Sequence, residues 1–247
     1  MLWPLWLAGF VVAATGSRGA LAALAVSLTA VLLVRSSAKR RLMLAVTGAL
    51  AVVVLAVANP QVHSRAGRTV SLGQIASNLG SIAGGTHGDA ALAGTRNFRL
   101  EWWKTIWSYT VHGPYFWTGK GFGINLADAD GFQPTADHSL RAPHNTHMTV
   151  LARMGVPGLG LWVALQLAFA GSLLSAFWRA RRRGAIFWAR IDIWLLAYWA
   201  AMMVNTSFDP YLEGPQGSIW FWAVFGLGLA ALRLQRLHPR FPDEETA

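Results

Sequence analysis

A histidine-asparagine pair stands shortly before a glycine-rich break in an apolar stretch. His144-Asn145 follows Pro143, and nine residues separate it from Gly155-Val156-Pro157-Gly158. This spacing predicts an imidazole at the start of a helix that breaks soon afterwards. An imidazole can act as a general base near neutral pH, because its unperturbed pKa is about 6.5. His144 is therefore a candidate base toward a hydroxyl group, and the alternative is a histidine that makes only local hydrogen bonds.

Several arginines could bind an anionic substrate. Arg18 lies in the polar break Thr15-Gly16-Ser17-Arg18-Gly19, and Arg96 and Arg99 are three residues apart, on one helical face. Because the guanidinium fork fits phosphate oxygens, these side chains predict a phosphate or diphosphate site. The alternative is that they anchor helix ends or lie among lipid headgroups. Further polar candidates for substrate binding are Arg141, Lys120, Asn145, Asp209 and Glu213.

Two other kinds of site are possible on residue type alone. A metal could be bound by Asp137, His138, His144 and His147. Histidine and carboxylate are metal ligands, but this spacing matches no ligand motif. Gly119-Lys120-Gly121-Phe122-Gly123 superficially resembles a phosphate loop but lacks the nucleotide-binding pattern. With no cysteine in the chain, thiolate chemistry is excluded, and we predict a reaction that needs no metal and no other cofactor.

The elements that must position these residues are strongly apolar. Hydrophobic residues make up 54% of the 247 and charged residues 13%, against about 25% charged in a soluble domain. This composition predicts an all-α, polytopic membrane protein. The net charge of +10 does not indicate nucleic-acid binding, because the basic residues flank the apolar runs. The apolar runs that could span a membrane are 2–14, 20–34, 42–58, 159–178, 186–204 and 218–232.

Basic clusters predict the orientation of the chain. They lie at 35–41, at 179–183 and in the tail, whereas 205–217 has none. The positive-inside rule then places the clusters in the cytoplasm and the one large loop outside it. The short first run predicts that the chain is the C-terminal part of a longer protein. The predicted organisation is three spans in 1–58, an extracytoplasmic loop in 59–147, three further spans in 148–234 and a cytoplasmic tail in 235–247.

The large loop is predicted to contain amphipathic helices at the membrane surface. Residues 95–111 carry apolar side chains at helical spacing, and 143–153 form a second, short interfacial helix before the break at Gly155. The stripe in the first of these helices consists of Phe98, Trp102, Thr105 and Ile106.

In this order, several stretches resemble the O-antigen ligase and polymerase superfamily. His144-Asn145 with Gly155-Val156-Pro157-Gly158 is similar to its hallmark, and Thr15-Gly16-Ser17-Arg18-Gly19-Ala20 to its Ser-Arg-Gly segment. The other similar stretches are Arg99-Leu100-Glu101-Trp102-Trp103-Lys104, His112-Gly113-Pro114, Gly119-Lys120-Gly121-Phe122-Gly123 and the loop from Asn205 to Gly217. The resemblance runs from about Thr15 to Leu232, without the N-terminal half of the expected spans.

The resemblance implies a glycosyltransferase in the bacterial inner membrane. Such a protein moves a glycan from an undecaprenyl-diphosphate carrier to an acceptor hydroxyl, on lipid A core or another glycan, at the outer face. Arg18 with Arg96 or Arg99 would neutralise the diphosphate, and His144 would take the hydroxyl proton. The alternatives are a polymerase of the same superfamily, a lipid-glycan transporter that performs no chemistry, and a non-catalytic scaffold.

Overall fold

The computed structural model describes part of the large loop and the C-terminal half of the chain. It covers residues 90–134 and 136–239, with side chains from residue 97, together with the helical residues Ala23 and Val26 and two short strands. The strands, β1 (Val62–His63) and β2 (Thr69–Val70), pair antiparallel. The rest of the first three predicted spans, with Arg18, lies outside the described residues.

Apart from that pairing, the regular elements of the described part are helices. They are α1 (Ala90–Val111), α2 (Leu126–Asp130), α3 (Thr146–Arg183), α4 (Ile186–Thr206) and α5 (Pro215–Leu237). Asn145 caps the start of α3, because its side-chain oxygen accepts a hydrogen bond from the Met148 N–H at 3.1 Å. Gly184, with a φ of 73°, ends α3 in the left-handed conformation that glycine adopts easily.

Helices α3, α4 and α5 are long and apolar enough to cross a membrane. They correspond to the last three of the predicted spans, and they confirm the helical membrane character of this half. The ring of Phe169 in α3 stacks on that of Phe225 in α5, with 4.0 Å between centroids. Gly228 permits this contact, since a Cβ there would lie 2.5 Å from the Phe169 ring. Exposed side chains such as Leu161 on the outer surface suit contact with lipid.

Helix α1 packs on α2 and on the first turns of α3. Trp102 and Ile106, from the predicted stripe, are completely buried there, together with Leu126 and Leu151. The Trp102 ring stacks on Phe132 at 5.3 Å. The apolar face of α1 is therefore buried against the protein itself, and a position of this helix on the membrane surface stays a prediction.

Candidate functional site

His144 lies immediately before the cap of α3. Its φ is 53°, in the left-handed region that few residues other than glycine adopt. The neighbouring backbone is fixed, because Trp103 Nε1 donates to the Pro143 carbonyl at 2.9 Å and Asn145 caps the helix. The side chain is half-buried, and its Nδ1 is itself buried and has no hydrogen-bond partner among the described residues. The fold thus holds an imidazole in place while leaving one ring nitrogen uncommitted within this part of the chain.

Arg99 and Asp209 set the electrostatics around this imidazole. Burial is the main cause that lowers the pKa of His144, the Arg99 charge lowers it further, and the Asp209 carboxylate opposes both. Arg99 comes from α1, and its Nη1 donates to the Phe208 carbonyl at 3.0 Å, beside Asp209 in the loop that follows α4. Since the net shift is downward from about 6.5, His144 is neutral at pH 7 and able to accept a proton.

His147, one turn along α3, is held by two hydrogen bonds. Trp162 Nε1, which can only donate, lies 3.1 Å from Nδ1, so the ring proton is on Nε2. Nε2 then donates to Ser207 Oγ at 3.1 Å, and that hydroxyl donates to the Met203 carbonyl. Because both ring nitrogens are occupied, this geometry favours a structural role, in which His147 fastens α3 to the end of α4.

Lys120 is committed to an internal ion pair. Its ammonium lies 2.6 Å from Asp130 Oδ1, and the Asp130 side chain is fully buried. The other carboxylate oxygen accepts hydrogen bonds from Trp102 Nε1 at 2.7 Å and from the Tyr109 hydroxyl at 3.2 Å. Lys120 also lies 4.3 Å above the Tyr109 ring. The lysine that was predicted to bind substrate therefore neutralises a buried carboxylate in this structure.

The glycine-rich turn docks on the kink in α3. Gly155 has a φ of 67° and leaves the helical conformation, and Pro157 has no N–H to donate. The N–H groups of Lys120 and Gly121 instead donate to the carbonyls of Ala152 and Arg153, at 2.7 and 3.0 Å. The Val156 N–H returns a bond to the Phe116 carbonyl at 2.8 Å. The glycine turn at 119–123 and the Gly155–Gly158 segment are therefore held together by backbone hydrogen bonds. We call this contact between the turn and the kink the joint.

We expect Gly155→Ala to destabilise this joint. A Cβ at residue 155 would lie 2.3 Å from the Phe116 carbonyl oxygen, and the φ is strained for any L side chain. The free energy of unfolding should fall by on the order of 1–3 kcal/mol or more. The measurement is thermal unfolding of the purified protein in detergent. Gly160→Ala, five residues further along α3 where a Cβ meets nothing within 4 Å, is the matched control and should be neutral or stabilising.

The other residues that the sequence predicted to bind substrate have separate surroundings. Arg141 is exposed, and its charge lies within electrostatic range of the Asp128 and Glu213 carboxylates. The side-chain oxygen of Asn145 is used for helix capping. Arg96 lies in α1, but its side chain is outside the described part of the chain, as is all of Arg18.

The predicted metal ligands are not brought together. His138 Nδ1 lies 2.7 Å from Asp128 Oδ1, and this contact raises the pKa of His138 and lowers that of Asp128. His147 is occupied by Trp162 and Ser207. Within residues 97–134 and 136–239, no three potential ligands are grouped so that they could hold a metal ion.

Glu213, a candidate from the sequence, and Arg153, which was not one, lie within electrostatic range of each other. Glu213, in the loop before α5, is exposed as a residue, yet desolvation of its carboxyl group raises its pKa, against the Thr149 hydrogen bond and the charge of Arg153. Arg153 itself donates from Nη1 to the Ile124 carbonyl at 3.2 Å and the Gly121 carbonyl at 3.3 Å. Sequence reasoning missed Arg153. The sequence signal that could have indicated it is its position two residues before the break at Gly155.

The class of this protein follows from the fold and the site together. Helices of membrane-spanning length carry, at one end, a histidine with an arginine and a carboxylate nearby, which defines a helical membrane protein with a polar site at one end of its helices. The family model for O-antigen ligase matches residues 3–163. Because this match covers more than half of the 247 residues, the chain belongs to the O-antigen ligase family. No curated protein matches the chain.

The matched segment includes most of the candidate site. It contains Arg99 and His144 and ends within α3, a few residues beyond the kink at Gly155. Asp209 and Glu213 come from the loop between α4 and α5, beyond the match. The matched segment therefore spans the histidine and the arginine, whereas both carboxylates lie outside it.

Proposed function

We propose that the protein is a glycosyltransferase of the O-antigen ligase type. It would transfer a glycan from an undecaprenyl-diphosphate carrier to an acceptor hydroxyl, on lipid A core or on another glycan, at the outer face of the inner membrane. The observation that carries this proposal is a half-buried His144, fixed before the cap of α3, with Arg99 and Asp209 close enough to act on its charge. Membership of the family, whose substrates are lipid-linked glycans, supports the choice of donor.

The proposed reaction is a displacement at the anomeric carbon of the donor. The acceptor oxygen forms the new glycosidic bond, and its proton passes to a ring nitrogen of His144. The bond between the anomeric carbon and the carrier diphosphate breaks, and the diphosphate leaves with the electron pair. Asp209 would stabilise the imidazolium that forms, because its charge already favours protonation of His144.

The leaving diphosphate gains negative charge as the bond breaks. Arg99 lies close enough to His144 to affect its pKa, so a diphosphate bound to this guanidinium would place the reacting carbon near the base. We include Arg18 and Arg96 in this anion site on the strength of the sequence pattern. Cationic groups placed where charge develops stabilise a transition state directly, which is a role that a metal would otherwise have.

The acceptor would bind on the carboxylate side of His144. Asp209 and Glu213 belong to the same short loop, and Arg141 and Arg153 lie within electrostatic range of Glu213. Carboxylates and guanidinium groups are common hydrogen-bond partners of sugar hydroxyls. The acceptor hydroxyl would then reach the imidazole from this loop.

Complementation tests the proposal and separates the alternatives. The chain, with any upstream part of its reading frame, is expressed in a ligase-null strain and in a polymerase-null strain, and the glycan ladder is read from each. Restoration in the ligase-null strain supports the proposal, and restoration only in the polymerase-null strain assigns a polymerase. Binding of the lipid-linked donor without transfer in either strain would support a transporter and contradict the proposed chemistry.

We expect glycan transfer by the purified protein to persist in EDTA. The reason is that guanidinium groups supply the positive charge in the proposed mechanism. The measurement is transfer from the lipid-linked donor before and after chelation, with addition of Mg²⁺ and Zn²⁺ as separate arms. Reversible loss of activity on chelation would contradict the arginine-based mechanism and indicate a metal site.

A further inference from the structure

A cavity of about 390 Å³ lies between the C-terminal ends of α3 and α5. Three arginines line it: Arg179 and Arg183 from α3, and Arg236 from α5. The rest of its lining consists of Ala180, Gln235 and Pro239. Cavities of this size accommodate small ligands.

This cavity is remote from His144. The part of α3 from Gly155 to Arg179 is about 36 Å long at about 1.5 Å per residue, which exceeds the hydrocarbon thickness of a bilayer. His144 precedes the first residue of α3, and Arg183 is its last. The cavity therefore lies at the opposite membrane surface from the proposed active site, and no contact with the glycan donor accounts for it.

The inner wall of the cavity is held by buried polar contacts. Gln235 is only 8% exposed, and its Nε2 donates to Asp192 Oδ2 at 2.9 Å. Trp188 Nε1 donates to the His238 carbonyl at 2.9 Å, which fixes the chain just before Pro239. Asp192 and Trp188 both belong to α4, so all three spanning helices take part. Hydrogen bonds between the helices therefore hold the cavity wall in place. The side chains that make these bonds have no part in the proposed active site around His144.

The charges around the cavity favour an anion, because its three arginines outnumber the Asp192 carboxylate that Gln235 contacts and Arg179 faces. Arginine near a helix C-terminus is favourable in itself, because the last carbonyls carry a partial negative charge. The partial charge at the helix end favours an arginine on any face of α3 or α5. It does not explain why three arginines line the same cavity. Guanidinium groups bind phosphate oxygens in pairs of hydrogen bonds, and basic pockets between spanning helices bind anionic headgroups.

We propose that this cavity binds the phosphate-bearing headgroup of an anionic phospholipid. The guanidinium groups of Arg179, Arg183 and Arg236 would contact the phosphate, and Gln235 would form the polar wall beside it. The acyl chains would then follow the apolar outer surfaces of α3 and α5, where Trp178 and Leu234 are exposed. A lipid in this position would hold the ends of the two helices together.

The test compares two variants with equal loss of charge. In the first, Arg179, Arg183 and Arg236 are all changed to Gln. In the second, the control, Arg181, Arg182 and Arg233 are changed to Gln; these exposed arginines lie at the same membrane surface but do not line the cavity. Retention of phosphatidylglycerol, relative to phosphatidylcholine, is measured on the whole purified protein by native mass spectrometry. Each lost hydrogen bond to the phosphate should weaken binding about fivefold, and three should weaken it about a hundredfold, whereas the control loses no such bond and should weaken binding much less.

The outcomes either support or overturn the proposal. Equal losses in the two variants, or no loss in the first, would mean that lipid binds only to the general positive charge of this surface. Displacement of the lipid by inorganic phosphate at millimolar concentration would assign a site for a soluble phosphate instead. Selective binding only after removal of the acidic tail, 240–247, would show that the tail occupies the cavity, against the proposal. If the triple variant does not insert, Arg236→Gln against Arg233→Gln gives the same comparison.

Discussion

Replacing His144 by alanine should lower glycan transfer by about 10²–10⁴-fold, because that is the usual cost of removing a general base. The imidazole is half-buried, neutral at pH 7 and uncommitted at Nδ1 within the described chain. Binding of the lipid-linked donor should remain, since the phosphate contacts come from arginine. The measurement is the glycan ladder in a null strain, with protein levels checked by immunoblot. A normal ladder from His144→Ala would contradict the assignment of the base.

His147→Ala is the matched control for this substitution. It removes an imidazole one helical turn away, but its two hydrogen bonds join Trp162 to Ser207. We therefore expect a lower unfolding temperature and a nearly unchanged rate of transfer per folded molecule. A loss of transfer equal to that of His144→Ala, in folded protein, would move the catalytic assignment toward His147.

The pH profile of transfer gives a second readout of His144. Burial and Arg99 lower its pKa, so the neutral base persists below pH 6.5 and activity should decline only as the pH falls further. Asp209 opposes that shift, so Asp209→Asn lowers the pKa of His144 again and should move the acidic limb to still lower pH. An acidic limb that does not move would mean that a different group titrates.

Changing Arg99 to alanine is expected to lower transfer by about 10²–10³-fold, as the loss of one cationic or hydrogen-bond donor from a charge-stabilising site commonly does. Arg99→Lys should recover only part of the activity, because lysine presents a point charge without the planar fork. Lys104→Ala is the matched control, since it removes an exposed cation from the same helix. Transfer is measured as for His144.

Arg99 also has a structural contact that the experiment must separate. Its Nη1 donates a hydrogen bond to the Phe208 carbonyl. The alanine variant therefore also loses a contact between α1 and the loop that contains Asp209. Donor affinity distinguishes the two effects, because a diphosphate ligand should bind weakly to Arg99→Ala and normally to a variant that only loosens the loop. Full transfer by Arg99→Ala would make Arg99 an anchor and leave Arg96 and Arg18 as the cationic candidates.

The parts of the fold that depend on local pattern could be predicted from the sequence. Apolar run length predicted the helices that became α3, α4 and α5, and the Gly-Val-Pro-Gly segment predicted the break at Gly155. Both features arise from neighbouring residues, through helix length and the missing N–H of Pro157. The placement of His144 at the start of a helix was predicted on the same basis.

Long-range pairing could not be read from the sequence. Lys120 looked like a cation available to substrate, because nothing in its own segment shows that Asp130 is buried beneath it. Arg99 and Phe208 are 109 residues apart, and only the packing of α1 near the end of α4 brings them together. The glycine turn at 119–123 resembled a phosphate loop because glycine permits close backbone approach in both cases, here to the kink in α3.

The joint between the glycine turn and the kink has a consequence for how the chain can vary in length. Hydrogen bonds from Lys120 and Gly121 to Ala152 and Arg153 close a loop whose two ends are fixed to each other. Within that loop, the stretch 136–139 is exposed, and the His138 side chain contacts Asp128, which is away from both ends. Insertions there should leave His144 in place while changing what borders it, so we expect relatives with different acceptors to differ in length at this point.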